Sequence, residues 1–131
     1  MAGRMMGVAD SAMMRDHVNM NYTSALVTQK FFIATIPCVV VDISGVPRVA
    51  GSGGACTLQV FKAPSGTAVG SGALLHSGTY DLVGTADKNQ TLTLVSTPET
   101  LRLNPGDSLG YVLTGTATNA VGMIQVTLEP I

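Results

Sequence analysis

After residue 24 the chain alternates apolar and polar positions with a period of two. Val39, Val41 and Ile43 interleave with Val40, Asp42 and Ser44, and Cys56, Leu58 and Val60 interleave with Thr57 and Gln59. Leu109, Tyr111 and Leu113 alternate with Ser108, Gly110 and Thr114, and Ile124, Val126 and Leu128 mark a last strand. Extended backbone sends successive side chains to opposite faces, so each run predicts a strand with one face buried. Residues 27–36 predict a long extended run that Pro37 ends, while 73–75, 92–94 and 101–103 predict shorter strands. Turn chemistry lies between them. Residues 45–54 read as a Gly/Pro/Ser loop, Ala63-Pro64-Ser65-Gly66 and Asn104-Pro105-Gly106-Asp107 as tight turns, and 115–120 as a further loop. Asp107 and Asp81 are expected to bond the backbone of their own loops. Seven or eight short strands, with no helix after residue 24, predict an all-β, single-domain β-sandwich or barrel over residues 24–131.

The first 23 residues are of another kind. They hold six of the seven methionines, Met1, Met5, Met6, Met13, Met14 and Met20. Asp10 is placed to cap a short helix over 11–18, but the apolar stripe behind it is weak. Residues 1–23 are therefore expected to be an N-terminal extended arm with little structure of its own. One reading makes it a disordered terminus whose methionines are incidental. The functional reading makes Met5, Met6, Met13, Met14 and Met20 docking side chains, because flexible, polarizable thioethers mould to a partner surface. An arm that orders on binding suits assembly.

Composition sharpens this. Charged residues are 11% of the 131, against roughly 25% in an average soluble domain. Either the surface is neutral and rich in Ser, Thr and Gly, or much of it is hidden in an assembly, where interface cores tolerate few charges. The seven basic residues are scattered as Arg4, Arg15, Lys30, Arg48, Lys62, Lys88 and Arg102. No cluster can neutralise several phosphates, so neither nucleic acid nor an anionic membrane is expected as a partner. The most apolar stretch, 31–41, is too short to span a bilayer. Asp10, Arg15, Asp16 and His17 interrupt any secretory core, which points to synthesis in a cytoplasm.

Candidate chemistry is sparse. His17 and His76 have no Cys, Asp or Glu at metal-ligand spacing, and His76 reads as a loop or strand-edge residue rather than a general base. No serine is expected to sit on a strand-to-helix nucleophile elbow, because no helix is predicted after residue 24. The Gly-rich stretches 51–54 and 70–72 lead into no helix with a Lys, so they read as loops and not phosphate cradles. If 38–44 paired with 50–56 as a hairpin, Cys38 and Cys56 would fall near opposite each other; buried free thiols are the favoured reading. No catalytic residue, metal or cofactor is expected.

One succession of motifs is familiar. Phe31-Phe32-Ile33-Ala34-Thr35 is followed by Cys56-Thr57-Leu58-Gln59-Val60-Phe61-Lys62-Ala63-Pro64-Ser65-Gly66-Thr67-Ala68 and Tyr80-Asp81-Leu82-Val83-Gly84-Thr85-Ala86. Leu101-Arg102-Leu103-Asn104-Pro105-Gly106-Asp107-Ser108-Leu109, Thr114-Gly115-Thr116-Ala117-Thr118 and Val126-Thr127-Leu128-Glu129-Pro130 close it. The order resembles the capsid cement (decoration) proteins of tailed bacteriophages and covers about residues 31–130. The resemblance implies a jelly-roll-like sandwich on the virion exterior, made in the host bacterial cytoplasm. It would bind the major capsid protein and itself, as a homodimer or homotrimer. Other readings are a head-fibre base, tail or minor capsid component, or a non-catalytic carbohydrate- or ligand-binding module. The last is poorly equipped, with no Trp and only Tyr22, Tyr80 and Tyr111.

Overall fold

The period-two runs form strands in the computed structural model, which describes residues 15–23 and 28–131. In chain order they are β1 (Asp16–Tyr22), β2 (Gln29–Ile33), β3 (Cys38–Val49), β4 (Cys56–Ala63), β5 (Ala73–Leu74), β6 (Tyr80–Asp81), β7 (Gln90–Leu92), β8 (Arg102–Leu103), β9 (Ser108–Gly115) and β10 (Val121–Pro130). A 3-10 turn at Val69–Ser71 and one helical turn, α1 (Pro98–Leu101), add brief helical structure where none was expected. Pro98 suits a first turn, where its missing N–H is not needed.

One sheet has the order β2-β9-β4-β5, with β6 also on β4; the other has the order β1-β10-β3-β7, with β8 also on β3. Every pairing is antiparallel. The pairs are nested about the middle of the chain: β1 with β10 and β2 with β9 join its two ends, β3 pairs with β7 and β8, and β4 pairs with β5 and β6, which follow it directly. A long antiparallel ribbon, rolled so that its successive strand pairs fall alternately in two sheets, has this order. The two sheets form the expected single-domain β-sandwich. Ile43, Leu58, Leu75, Leu103, Leu109 and Ile124 are fully buried between them. Each such side chain contributes roughly 1.5–3 kcal/mol of apolar burial.

Three tyrosines anchor the core. Tyr22 on β1 and Tyr80 on β6 meet edge to face across the sheets, centroids 5.7 Å apart, with their hydroxyls 2.6 Å apart in a buried hydrogen bond. Glycine makes the room. A methyl at Gly45 on β3 would stand 2.7 Å from the Tyr80 ring and 2.6 Å from the Met123 carbonyl oxygen; one at Gly122 on β10 would stand 2.6 Å from Tyr22 Cζ. Tyr111 on β9 packs on Phe31 of β2 with centroids 6.1 Å apart.

The turns behave as predicted. Asp107 N–H donates to the Asn104 carbonyl, and Asn104 N–H donates to Asp107 Oδ2, both at 2.9 Å, with Gly106 at φ +96°. Asp81 Oδ1 accepts from Val83 N–H at 2.9 Å.

Several expectations are corrected. Residues 16–22 lie inside the sandwich instead of in an arm: β1 pairs with β10 from Asp16–Leu128 to Tyr22–Gly122 without a break. The first half of the expected loop at 45–54 is strand, since β3 runs on to Val49. Beyond Gly45 its far side is no longer paired to β7, so Pro47 sits on an edge where its missing N–H costs little. The face of β3 is also reassigned at its start. Thr127 pairs with Asp42 and Leu128 with Val40, leaving Val41 as a bulge. The bulge shifts the alternation, so Cys38 and Val40 are buried rather than Val39 and Val41. On β9, Ser108 and Gly110 are buried as well as Leu109 and Tyr111, because Val69 of the 3-10 turn covers Gly110 from outside.

Candidate interaction surface

The end of the sandwich where β1 starts and β10 finishes is apolar. Ile33, Ile36 and Ile131 are 64, 52 and 62% exposed there. Their grouping follows from the fold. β2 ends at Ile33, the connection to β3 carries Ile36-Pro37, and Ile131 N–H donates to the Pro37 carbonyl at 3.2 Å. Ala34 N–H donates to Asp107 and its carbonyl accepts from Gly106 N–H, both at 2.8 Å, which pins this connection to the Asn104–Asp107 turn. Beside the isoleucines lies a hollow of about 150 Å³ lined by Asp16, Phe32, Ala34, Thr35, Ile36, Cys38, Leu128 and Pro130. Large aliphatic groups held in water on a rigid frame gain free energy when another apolar surface covers them. Arg15 Nε meets Glu129 Oε2 at 2.6 Å near this end, an exposed pair worth little by itself.

The outer face of the β1-β10-β3-β7 sheet is mostly neutral and polar. Rows run Asn21–Met123–Val46, Asn19–Gln125–Ser44–Thr91 and His17–Thr127–Asp42. His17 Nδ1 lies 3.1 Å from Thr127 Oγ1, and Ser44 Oγ donates to Asp42 Oδ2 at 3.0 Å. A shallow groove of about 520 Å³ crosses this face over Val46, Val121 and Met123, with Asn21 and Arg48 at its rim.

Of the sequence-predicted docking residues, Met5, Met6, Met13 and Met14 lie outside the described residues. Met20 is corrected: it points from β1 into the core at 8% exposure, so it is a core side chain of its own sandwich and not a docking side chain of an arm. Pairing with Ile124 of β10 turns it inward, in line with Val18 and Tyr22. Sequence reasoning missed Ile33, Ile36 and Ile131. Their only local signal is the two isoleucines, Ile33 and Ile36, just before the break at Pro37, and the contact with Ile131 is remote in sequence.

His76 lies on a bridge to Leu94 and is fully buried. Nε2 accepts from Val60 N–H at 2.9 Å, so Nδ1 carries the proton and donates to the Ser77 carbonyl at 3.0 Å. β5 pairs only with Phe61 and Lys62 of β4, and the imidazole supplies the acceptor that Val60 lacks. Burial holds its pKa below the ordinary histidine value. Cys38 and Cys56 are buried free thiols in different sheets, so the hairpin that would oppose them does not form. Burial raises the pKa of both. Among the described residues no three His, Cys, Asp or Glu side chains converge as metal ligands, and no helix is long and apolar enough to cross a membrane.

These features define an all-β, two-sheet sandwich domain with an exposed apolar end. No protein-family model matches the chain, and no curated protein matches it. Among solved structures, a chain of the cyanophage Pam1 capsid asymmetric unit superposes with a TM-score of 0.53 at 9% identity, covering 90% of this chain and 84% of that one. A chain from Bacillus endospore appendages, described as a novel family of disulfide-linked pili, reaches a TM-score of 0.39 at 15% identity, covering 89% and 86%. The first likeness is one of fold; the second is too distant to speak to it.

Proposed function

We propose that this chain is a structural virion protein that binds the outer surface of a phage capsid and cements neighbouring capsomers. The observation that carries the reading is the fold shared with a chain of a cyanophage capsid asymmetric unit over nine-tenths of this chain. The motif order between residues 31 and 130 supports it independently. On this reading the rolled ribbon is a jelly-roll-like winding, the role is non-catalytic, and the partner is the major capsid protein. Ile33, Ile36 and Ile131 form the docking end. Each is more than half exposed, so covering all three stabilises a complex by on the order of 3–5 kcal/mol before association costs.

The test is to quantify the chain against the shell protein in purified particles from its source, then repeat the binding with Ile36→Asp. Copies in proportion to the shell protein, lost with Ile36→Asp while the free domain keeps its melting temperature, are the expected result. A handful of copies per particle would move the protein to a fibre or tail position. Its absence from particles would overturn the virion reading.

A further inference from the structure

Among the described residues four sheet edges flank the sandwich, and they are not alike. An unpaired edge offers a row of backbone donors and acceptors to any extended chain, so natural edges are blunted by short strands, lysine, proline or bulges. The β2 edge carries Lys30 and a bulge at Phe31, since Leu109 pairs with Phe32 and Gly110 with Lys30. On the opposite side the edges are β5, β6, β7 and β8, none longer than three residues. Backbone bonds close that side further: Leu75 N–H donates to Val60, Val95 N–H to Leu75 and Ser77 N–H to Thr93.

β1 has none of these devices. It is seven residues long, with no Pro and no Lys, and its register with β10 is unbroken. Its one charge is Asp16, at the end. Among the described residues nothing pairs with its outer side. Val18 is only half-buried, although it shares the inward face with the buried Met20 and Tyr22.

We infer that β1 pairs edge to edge with β1 of a second copy, antiparallel about a two-fold axis at Asn19, so that two sandwiches share one continuous sheet. The strand Asp16-His17-Val18-Asn19-Met20-Asn21-Tyr22 is self-complementary in that register. Asn19 faces its own counterpart, and His17 faces Asn21, all on the outer face. Val18 faces Met20 on the inner face and gains the cover it lacks. Asp16 falls opposite Tyr22, so no two like charges meet. A shared two-fold strand pair is an isologous contact that closes at two copies. The inference concerns the free protein and stands whether or not the virion reading does.

Sedimentation of the full chain over a wide concentration range tests it, alongside two kinds of variant. Asn19→Lys sets two ammonium groups opposite each other at the axis, on a face already exposed to water. It is expected to weaken self-association several-fold while the melting temperature of the fold stays put. Asn19→Cys reads the register. Opposed Cα atoms in an antiparallel pair are about 4.5–5.5 Å apart, within reach of a disulfide. Asn21→Cys places its two sulfurs about 13 Å apart along the strands. Asn19→Cys should therefore cross-link on air oxidation far faster than Asn21→Cys or the parent, whose thiols are buried. A parent chain that stays monomeric overturns the inference, and slow exchange of β1 amides in such a monomer would point to another segment of the chain on that edge. Self-association that ignores Asn19→Lys, or equal cross-linking at 19 and 21, overturns it too.

Discussion

Acid should loosen this sandwich through His76, and the geometry sets the sign. In the fold Nε2 accepts from Val60 N–H and Nδ1–H donates to Ser77, so the neutral ring is fully used. A second proton on Nε2 would replace that bond with two donors facing each other, in a site closed to water. The folded pKa is thus depressed, chiefly by burial, while the unfolded chain titrates near 6.5. Between those two values the unfolded state holds more protons than the native one, so stability rises with pH across the window. The contribution is complete above pH 6.5 and is lost as pH falls towards the folded pKa. The limiting slope for one proton is about 1.4 kcal/mol per pH unit. Carboxylates also titrate on the way down, so the measurement is a difference. Urea midpoints are taken from pH 7 downwards for the parent and for His76→Gln, whose amide oxygen can still accept from Val60. The parent is expected to lose stability more steeply than the variant below pH 6.5. Parallel profiles would refute the assignment of His76 as a buried neutral acceptor.

Other outcomes follow from the core. Tyr80→Phe leaves the Tyr22 hydroxyl buried without its partner and should cost about 1–3 kcal/mol in chemical denaturation. Adding Tyr22→Phe should recover part of that loss, since two apolar rings need no bond; a double variant weaker by the full sum would show that the hydroxyls do not act as a pair. Leu109→Ala should cost about 2–5 kcal/mol, because Leu109 is fully buried on a central strand. An unchanged melting temperature would overturn its place in the core.

The sequence made the strands at 56–63, 108–115 and 121–130 legible because apolar side chains recur at alternate positions, and because the turns beside them carry Pro to fix φ and Gly where positive φ is needed. The strand at 16–22 carried the same signal: Val18, Met20 and Tyr22 alternate with His17, Asn19 and Asn21. Reading the methionines as a docking set hid it. The face of β3 was not legible, because one extra residue at Val41 reverses the parity, and a bulge is chosen by the partner strand. Nor was the burial of His76, since its acceptor role depends on the backbone after β5 giving the Val60 carbonyl a donor, Leu75 N–H, while the Val60 N–H turns to the imidazole. Gly45 reads as the start of a loop and nothing local marks Gly122; the purpose of both is set by Tyr22 and Tyr80, remote from them in sequence. The apolar end formed by Ile33, Ile36 and Ile131 likewise exists only once the chain has rolled up.

That rolling sets a clock on biosynthesis. β1 leaves the ribosome well before its partner β10, which follows it by about a hundred residues. At roughly 5–20 residues per second, β1 waits on the order of 5–20 s for the strand it belongs beside. Through that interval Val18, Met20 and Tyr22 have no sheet to face and the edge of β1 meant for β10 stands open. Where many copies are made side by side, a finished β10 competes with every waiting β1 in reach, so crowded translation of this chain favours strand exchange between neighbours.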